Sequence, residues 1–144
     1  MSLLDSLYQE SILAHYKKPR NYGPLDPHDV KEEGLNPSCG DEVTLYLRLE
    51  DGAISAVSFE GEGCAISQAS ASMLTEAVQG LPTLEALELV ERFKRMLHGE
   101  EPGEALGELA VLKGVAKLPA RVKCAALAFT ALEAALERHG GRGA

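Results

Sequence analysis

Three cysteines of this 144-residue chain stand in settings that favour a thiolate. Cys39 lies in Asn36-Pro37-Ser38-Cys39-Gly40-Asp41, Cys64 in Gly61-Glu62-Gly63-Cys64-Ala65-Ile66-Ser67, and Cys124 in Arg121-Val122-Lys123-Cys124-Ala125. Glycines beside the first two let the backbone approach a bound atom, and Lys123 and Arg121 put positive charge beside the third. Asp41 is near enough to Cys39 in sequence to offer an oxygen to the same ion. Three sulfurs and one carboxylate form a four-donor set suited to zinc or iron. Any one cysteine by itself reads first as a small buried hydrophobe, and Asp41 by itself as a turn or cap residue. No C-x2-4-C pair is present, so a shared site has to be assembled by the fold from three distant segments.

The elements that would position these groups follow from periodicity. Ser2 or Asp5 caps a first helix running to about Lys18, with Leu4, Tyr8, Ile12 and His15 on one face and Pro19 as its stop. A strand is expected around Val30 to Leu35. From Val43 the pattern alternates, with Val43, Leu45, Leu47 and Leu49 on one side, up to Asp51-Gly52, a type I′ hairpin signal. The return strand covers Ala53 to Glu60, with an apolar phase shift near Ala56 and Val57 that requires a bulge or a sheet covered on both faces. Two antiparallel strands begin and end together, which brings Cys39 and Cys64 to one end of the sheet.

Helical spacing resumes from Cys64 to Gln79, with Gly80 as the stop, so Cys64 falls at a helix N-terminus where the dipole favours a thiolate. Thr83 is read as the cap of a helix whose Leu87, Val90, Phe93 and Leu97 form a stripe ending at His98-Gly99. A shorter helix is expected near Glu104 to Lys113. Pro119 opens a long last helix to about His139, with Val122, Ala125, Ala126, Phe129, Leu132 and Leu136 toward the core and against the sheet. His15, His28, His98 and His139 read as solvated or capping rather than ligating, and Glu85, Glu88 and Glu91 as a solvated helix face.

Length and 45% apolar content suit one domain, residues 1–144. A net charge of −8, with 14 scattered Lys and Arg, argues against nucleic-acid binding. No run approaches the roughly 20 apolar residues of a membrane span, and Met1-Ser2-Leu3-Leu4-Asp5 lacks the regions of a secretory signal, so a cytoplasmic protein with reduced thiols is expected and no membrane partner. There is no G-x-S-x-G, P-loop, G-x-G-x-x-G or thioredoxin-type C-x-x-C.

Taken together, Cys39-Gly40-Asp41, Gly63-Cys64-Ala65-Ile66-Ser67 and Lys123-Cys124-Ala125, with His15-Tyr16-Lys17-Lys18-Pro19-Arg20-Asn21 near the start, resemble the IscU/NifU-N family of iron-sulfur cluster assembly proteins. The resemblance implies an α+β fold, a small three-stranded antiparallel sheet with helices packed against it, and a near-surface site of three cysteines and one aspartate. Lys123 stands where the scaffold branch has a histidine, and the 59 residues between Cys64 and Cys124 exceed that branch's interval, the extra length falling around His98 to Lys113. Both features resemble the SufU-type branch of zinc-containing sulfur acceptors. Leu118-Pro119-Ala120-Arg121-Val122-Lys123 also departs from the Leu-Pro-Pro-Val-Lys motif that recruits a specialised chaperone in the scaffold branch.

The resemblance implies Zn2+ on Cys39, Asp41, Cys64 and Cys124. It implies a cysteine desulfurase as sulfur donor, and downstream iron-sulfur assembly proteins or apo-proteins as recipients. Cys39 is the expected sulfur acceptor and Cys124 the next choice; such a protein transfers sulfur rather than acting as a classical enzyme. Two other readings use the same residues: a scaffold building a transient [2Fe-2S] cluster or holding iron, and a structural zinc domain.

Overall fold

The computed structural model describes residues 10–38 and 40–138. Cys39, the helix start at Ser2 or Asp5, and His139 lie outside the described residues. The order is helix α1 (Glu10–Lys17), strands β1 (Val30–Asn36), β2 (Asp41–Glu50) and β3 (Ala53–Glu62), helices α2 (Ala65–Val78) and α3 (Thr83–Leu97), a 3-10 segment (Glu104–Lys117) and helix α4 (Pro119–Arg138). The strands form an antiparallel sheet in the order β1-β2-β3. The α+β expectation is therefore met.

Period-two alternation determines what faces the helices. On β2 the inward set is Asp41, Val43, Leu45 and Leu47, all buried, and it pairs with Asn36, Gly34, Glu32 and Val30 of β1. Helix α4 packs on β1 and β2, closely enough that a Cβ on Gly34 would lie 3.3 Å from Leu127 Cδ1. Helix α2 packs on β3 and between α1 and α4. Its residues Ile66 to Thr75 are all buried, and their small Ser and Ala side chains permit that close enclosure. Phe93 of α3 stacks on Phe129 of α4 with ring centroids 3.7 Å apart, closing the core on the far side of α4.

The hairpin forms at Asp51-Gly52, with positive φ at both residues (53° and 77°), as a type I′ turn requires. The phase shift in β3 has both anticipated causes. Register slips between Arg48 and Leu49, which pair with Ala56 and Ile54 and leave Ser55 as the extra residue of a bulge. The outer face is also partly covered, since Tyr46 and its partner Ser58 are each 7% exposed. His28 meets the Tyr46 ring edge-on at 5.3 Å, and Tyr46 Oη donates to Glu60 Oε1 at 2.5 Å. That carboxylate holds the Tyr46 phenol above its ordinary pKa.

Three expectations are corrected. Thr83 is the first residue of α3 rather than its cap; Pro82 occupies the cap, and Thr83 is buried with its N–H donated to Gly52 O at 2.9 Å. Tertiary pairing with the hairpin turn has replaced local capping. The helix expected over Glu104 to Lys113 is a 3-10 segment extending to Lys117 and broken at Gly107 (φ 51°, ψ −126°). Its buried Leu106, Leu109, Leu112 and Val115 recur every three residues, the period of a 3-10 rather than an α-helix. His15 is 2% exposed, not solvated. By contrast His28 is exposed, and His98 does cap α3, with Nδ1 2.8 Å from Lys94 O.

Candidate metal centre

Asn36 ends β1 and Asp41 opens β2, and the two are register partners at the β1–β2 connection. Both occupy inward positions, so their side chains point under the helices: Asn36 is 5% exposed and Asp41 is 1%. Gly40, before Asp41, has φ +71°, a left-handed conformation that glycine adopts without the usual steric cost. At the other strand end, β3 leads through Gly63 into α2, and Cys64 is the N-cap of that helix. Its Sγ accepts the Ser67 N–H at 3.5 Å, so a thiol does the work usually given to a serine or aspartate oxygen. The helix N-terminus expected at Cys64 is present. Gly63 is required by space: a Cβ there would sit 2.3 Å from Asp41 Oδ1 and 2.6 Å from Ser67 Oγ.

Cys124 arrives from α4, fully buried. Pro119 begins that helix, and Ser70 of α2 donates its hydroxyl to Ala125 O at 2.6 Å, tying α4 to α2 next to Cys124. Lys123 is exposed on the neighbouring helical position.

The three described groups converge. One oxygen of Asp41, Cys64 Sγ and Cys124 Sγ all lie within 4.8 Å of one another. A tetrahedral zinc with Zn–S bonds of about 2.3 Å holds its sulfurs roughly 3.8 Å apart, so the donors fit such an ion with little movement. A buried carboxylate needs compensation, and Asp41 has it on both oxygens. Oδ1 accepts Cys64 N–H at 3.0 Å and lies 3.2 Å from Ser67 Oγ, while Oδ2 accepts Asn36 Nδ2–H at 3.3 Å. Ser67 Oγ is also 3.0 Å from Cys64 O, and its single hydrogen serves one of the two acceptors at a time. Asn36 Nδ2 further reaches Cys124 Sγ at 3.8 Å. One amide thus spans two candidate ligands.

Asn36 and Ser67 were not among the residues singled out from sequence. Asn36, immediately before Pro37, reads as a turn residue. Ser67 had a usable signal, since it stands three residues after an N-cap, where the N3 residue pairs with the cap. Cys39 follows the exposed Ser38 and precedes the exposed Gly40.

Comparison with known proteins identifies the lineage. The profile described as NifU-like N terminal domain matches residues 7–143. The chain belongs to this family. It is 43% identical over 140 residues to the zinc-dependent sulfurtransferase SufU of Bacillus subtilis, covering 96% of this chain and 95% of that protein. It is 43% identical over 133 residues to the iron-sulfur cluster assembly scaffold protein IscU of Thermotoga maritima, covering 92% and 94%. The solved N-terminal structure of a NifU-like protein from Brucella abortus superposes with a TM-score of 0.89 at 26% identity, covering 98% of this chain and 99% of that one.

Proposed function

We propose that this family member acts in iron-sulfur cluster biogenesis as a sulfur acceptor, taking persulfide sulfur from a cysteine desulfurase and passing it toward cluster assembly. The convergence of Asp41, Cys64 and Cys124 at the sheet end carries the reading, and Cys39 stands two residues before Asp41 in the sequence. With Cys39 they form the four-donor set, and Zn2+ bound there would keep the thiols deprotonated and shield them from oxidation. The chain's own groups divide the labour. Asp41 and Cys124 are buried and serve as holding ligands, braced by Asn36, while Cys64 is half-buried at the cap of α2. Cys39, between exposed neighbours, is the thiol a partner reaches.

In the transfer step the Cys39 thiolate attacks the terminal sulfur of the desulfurase persulfide. A new S–S bond forms on Cys39, the donor's S–S bond breaks, and the donor cysteine leaves as a thiolate. Recipients are downstream assembly proteins or apo-proteins that reduce or attack the Cys39 persulfide.

The test is alanine release by the desulfurase. The wild-type chain should accelerate it, and Cys39→Ser should return the rate to that of the desulfurase alone while retaining a folded domain. Full stimulation by Cys39→Ser would remove Cys39 from this role, and a loss confined to Cys124→Ser would move the acceptor there. The scaffold reading draws on the same donors and on the similarity to the Thermotoga maritima protein. It predicts a coloured species, transferable to an apo-protein, when iron and sulfide are supplied as cargo without oxygen.

A further inference from the structure

A second cluster of ligating groups lies at the opposite end of α2. His15 enters it from α1, Glu76 from α2 and Glu108 from the 3-10 segment. Cys64 and Glu76 are twelve residues apart, roughly 18 Å along the helix axis, so this cluster is separate from the thiol centre. The imidazole is 2% exposed, whereas the carboxylates are about half exposed, at 45% and 47%. His15 Nε2 stands 3.0 Å from Glu108 Oε1 and 3.6 Å from Glu76 Oε1. The donor atoms all lie within 4.8 Å of one another.

Two features go beyond an ordinary ion pair. First, the spacing suits a metal: bonds of about 2.0–2.1 Å in a tetrahedral site put nitrogen and oxygen donors roughly 3.3 Å apart, between the two separations observed. Second, the other ring nitrogen is already anchored. Nδ1 lies 2.7 Å from Ser72 Oγ, which is fully buried and also accepts the Arg20 N–H at 2.7 Å. A hydroxyl oxygen has two lone pairs, so when a cation takes the place of the Nε2 proton Ser72 Oγ can accept Nδ1–H as well, and the Nε2 lone pair is free for the ion. Metal-ligating histidines likewise hold their other ring N–H on a polar partner, which fixes the tautomer and the ring orientation. Arg20 Nε approaches Glu76 at 3.7 Å, but on Oε2, and Oε1 remains turned toward the imidazole.

We propose that His15, Glu76 and Glu108 form a second metal site for a divalent first-row cation that favours nitrogen and oxygen donors, such as Zn2+ or Fe2+. The cation replaces the Nε2 proton, offsets two facing carboxylates and clasps α1, α2 and the 3-10 segment together. Solvent completes its coordination on the exposed side.

Native mass spectrometry and Co2+ titration of the full chain test this. The wild-type chain should take up two equivalents of Zn2+, and His15→Ala and the double variant Glu76→Gln/Glu108→Gln should each lose one. The glutamines preserve side-chain shape, so loss of metal there is not loss of fold, which circular dichroism checks. With Co2+, the variants should keep the thiolate charge-transfer absorption and lose only ligand-field intensity. Saturation of the wild-type chain at one thiol-bound equivalent would overturn the proposal, as would a second equivalent that survives in both variants. Neither result depends on sulfur transfer at Cys39.

Discussion

Asn36 has the most testable role at the scale of single residues. Its amide donates to Asp41 Oδ2 and reaches Cys124 Sγ, so it sets the orientation of one oxygen and one sulfur donor that no local chain geometry connects. Asn36→Ala should weaken zinc binding by about 10- to 100-fold, the usual effect of losing a group that hydrogen-bonds to the metal ligands, as read by competition with a chromophoric chelator. The apo-protein should also lose about 1–3 kcal/mol, because Asp41 Oδ2 is left buried without that donor. Unchanged affinity would show that Asp41 and Cys124 hold their positions without the amide. The donors themselves were legible in the sequence as residue types in activating contexts. Asn36 was not, because a turn-forming asparagine and a buried amide bridge look alike until the far helix is in place.

Among the elements, the junction of β3 and α2 does the most to form the site. A strand must end, reverse toward the helix layer and present Cys64 at the N-cap within three residues, while Asp41 passes beneath. Gly63→Ala puts a methyl group 2.3 Å from Asp41 Oδ1 and 2.6 Å from Ser67 Oγ, so both contacts must give way. The variant should lose about 1–3 kcal/mol in urea denaturation and bind zinc more weakly; full retention of both would mean that the junction shifts freely. The hairpin and α4 were readable in advance because period-two alternation, Asp51-Gly52 and Pro119 are local signals with local causes. The shorter helix expected near Glu104 to Lys113 is a 3-10 segment that runs to Lys117. Its buried apolar residues recur at three-residue spacing from Leu106 to Val115, and over so short a run the 3.0 and 3.6 periods are hard to separate. Thr83 failed as a cap because the hairpin turn, distant in sequence, took its N–H.

For the whole molecule, the question is whether metal makes the fold or only occupies it. The core of sheet, α2, α3 and α4 is continuous and apolar, and it includes Phe59, Phe93 and Phe129 at 0% exposure, a source of cohesion separate from any metal. Chelation should therefore leave the helical circular dichroism intact and lower the Tm by roughly 5–10 °C, as expected for losing a ligand held at about 100 times its Kd. Unfolding on chelation would instead favour the structural-zinc reading. No helix among the described residues is long and apolar enough to cross a membrane. The sequence by itself determined the secondary elements with strong periods and the kinds of donor available, since those depend on neighbours within a turn or a strand. Only the tertiary structure decided which donors meet. It brings Asn36 to Cys124 across 88 residues and His15 to Glu108 across 93, distances over which chain connectivity imposes nothing and the packing of helices on a twisted sheet imposes everything.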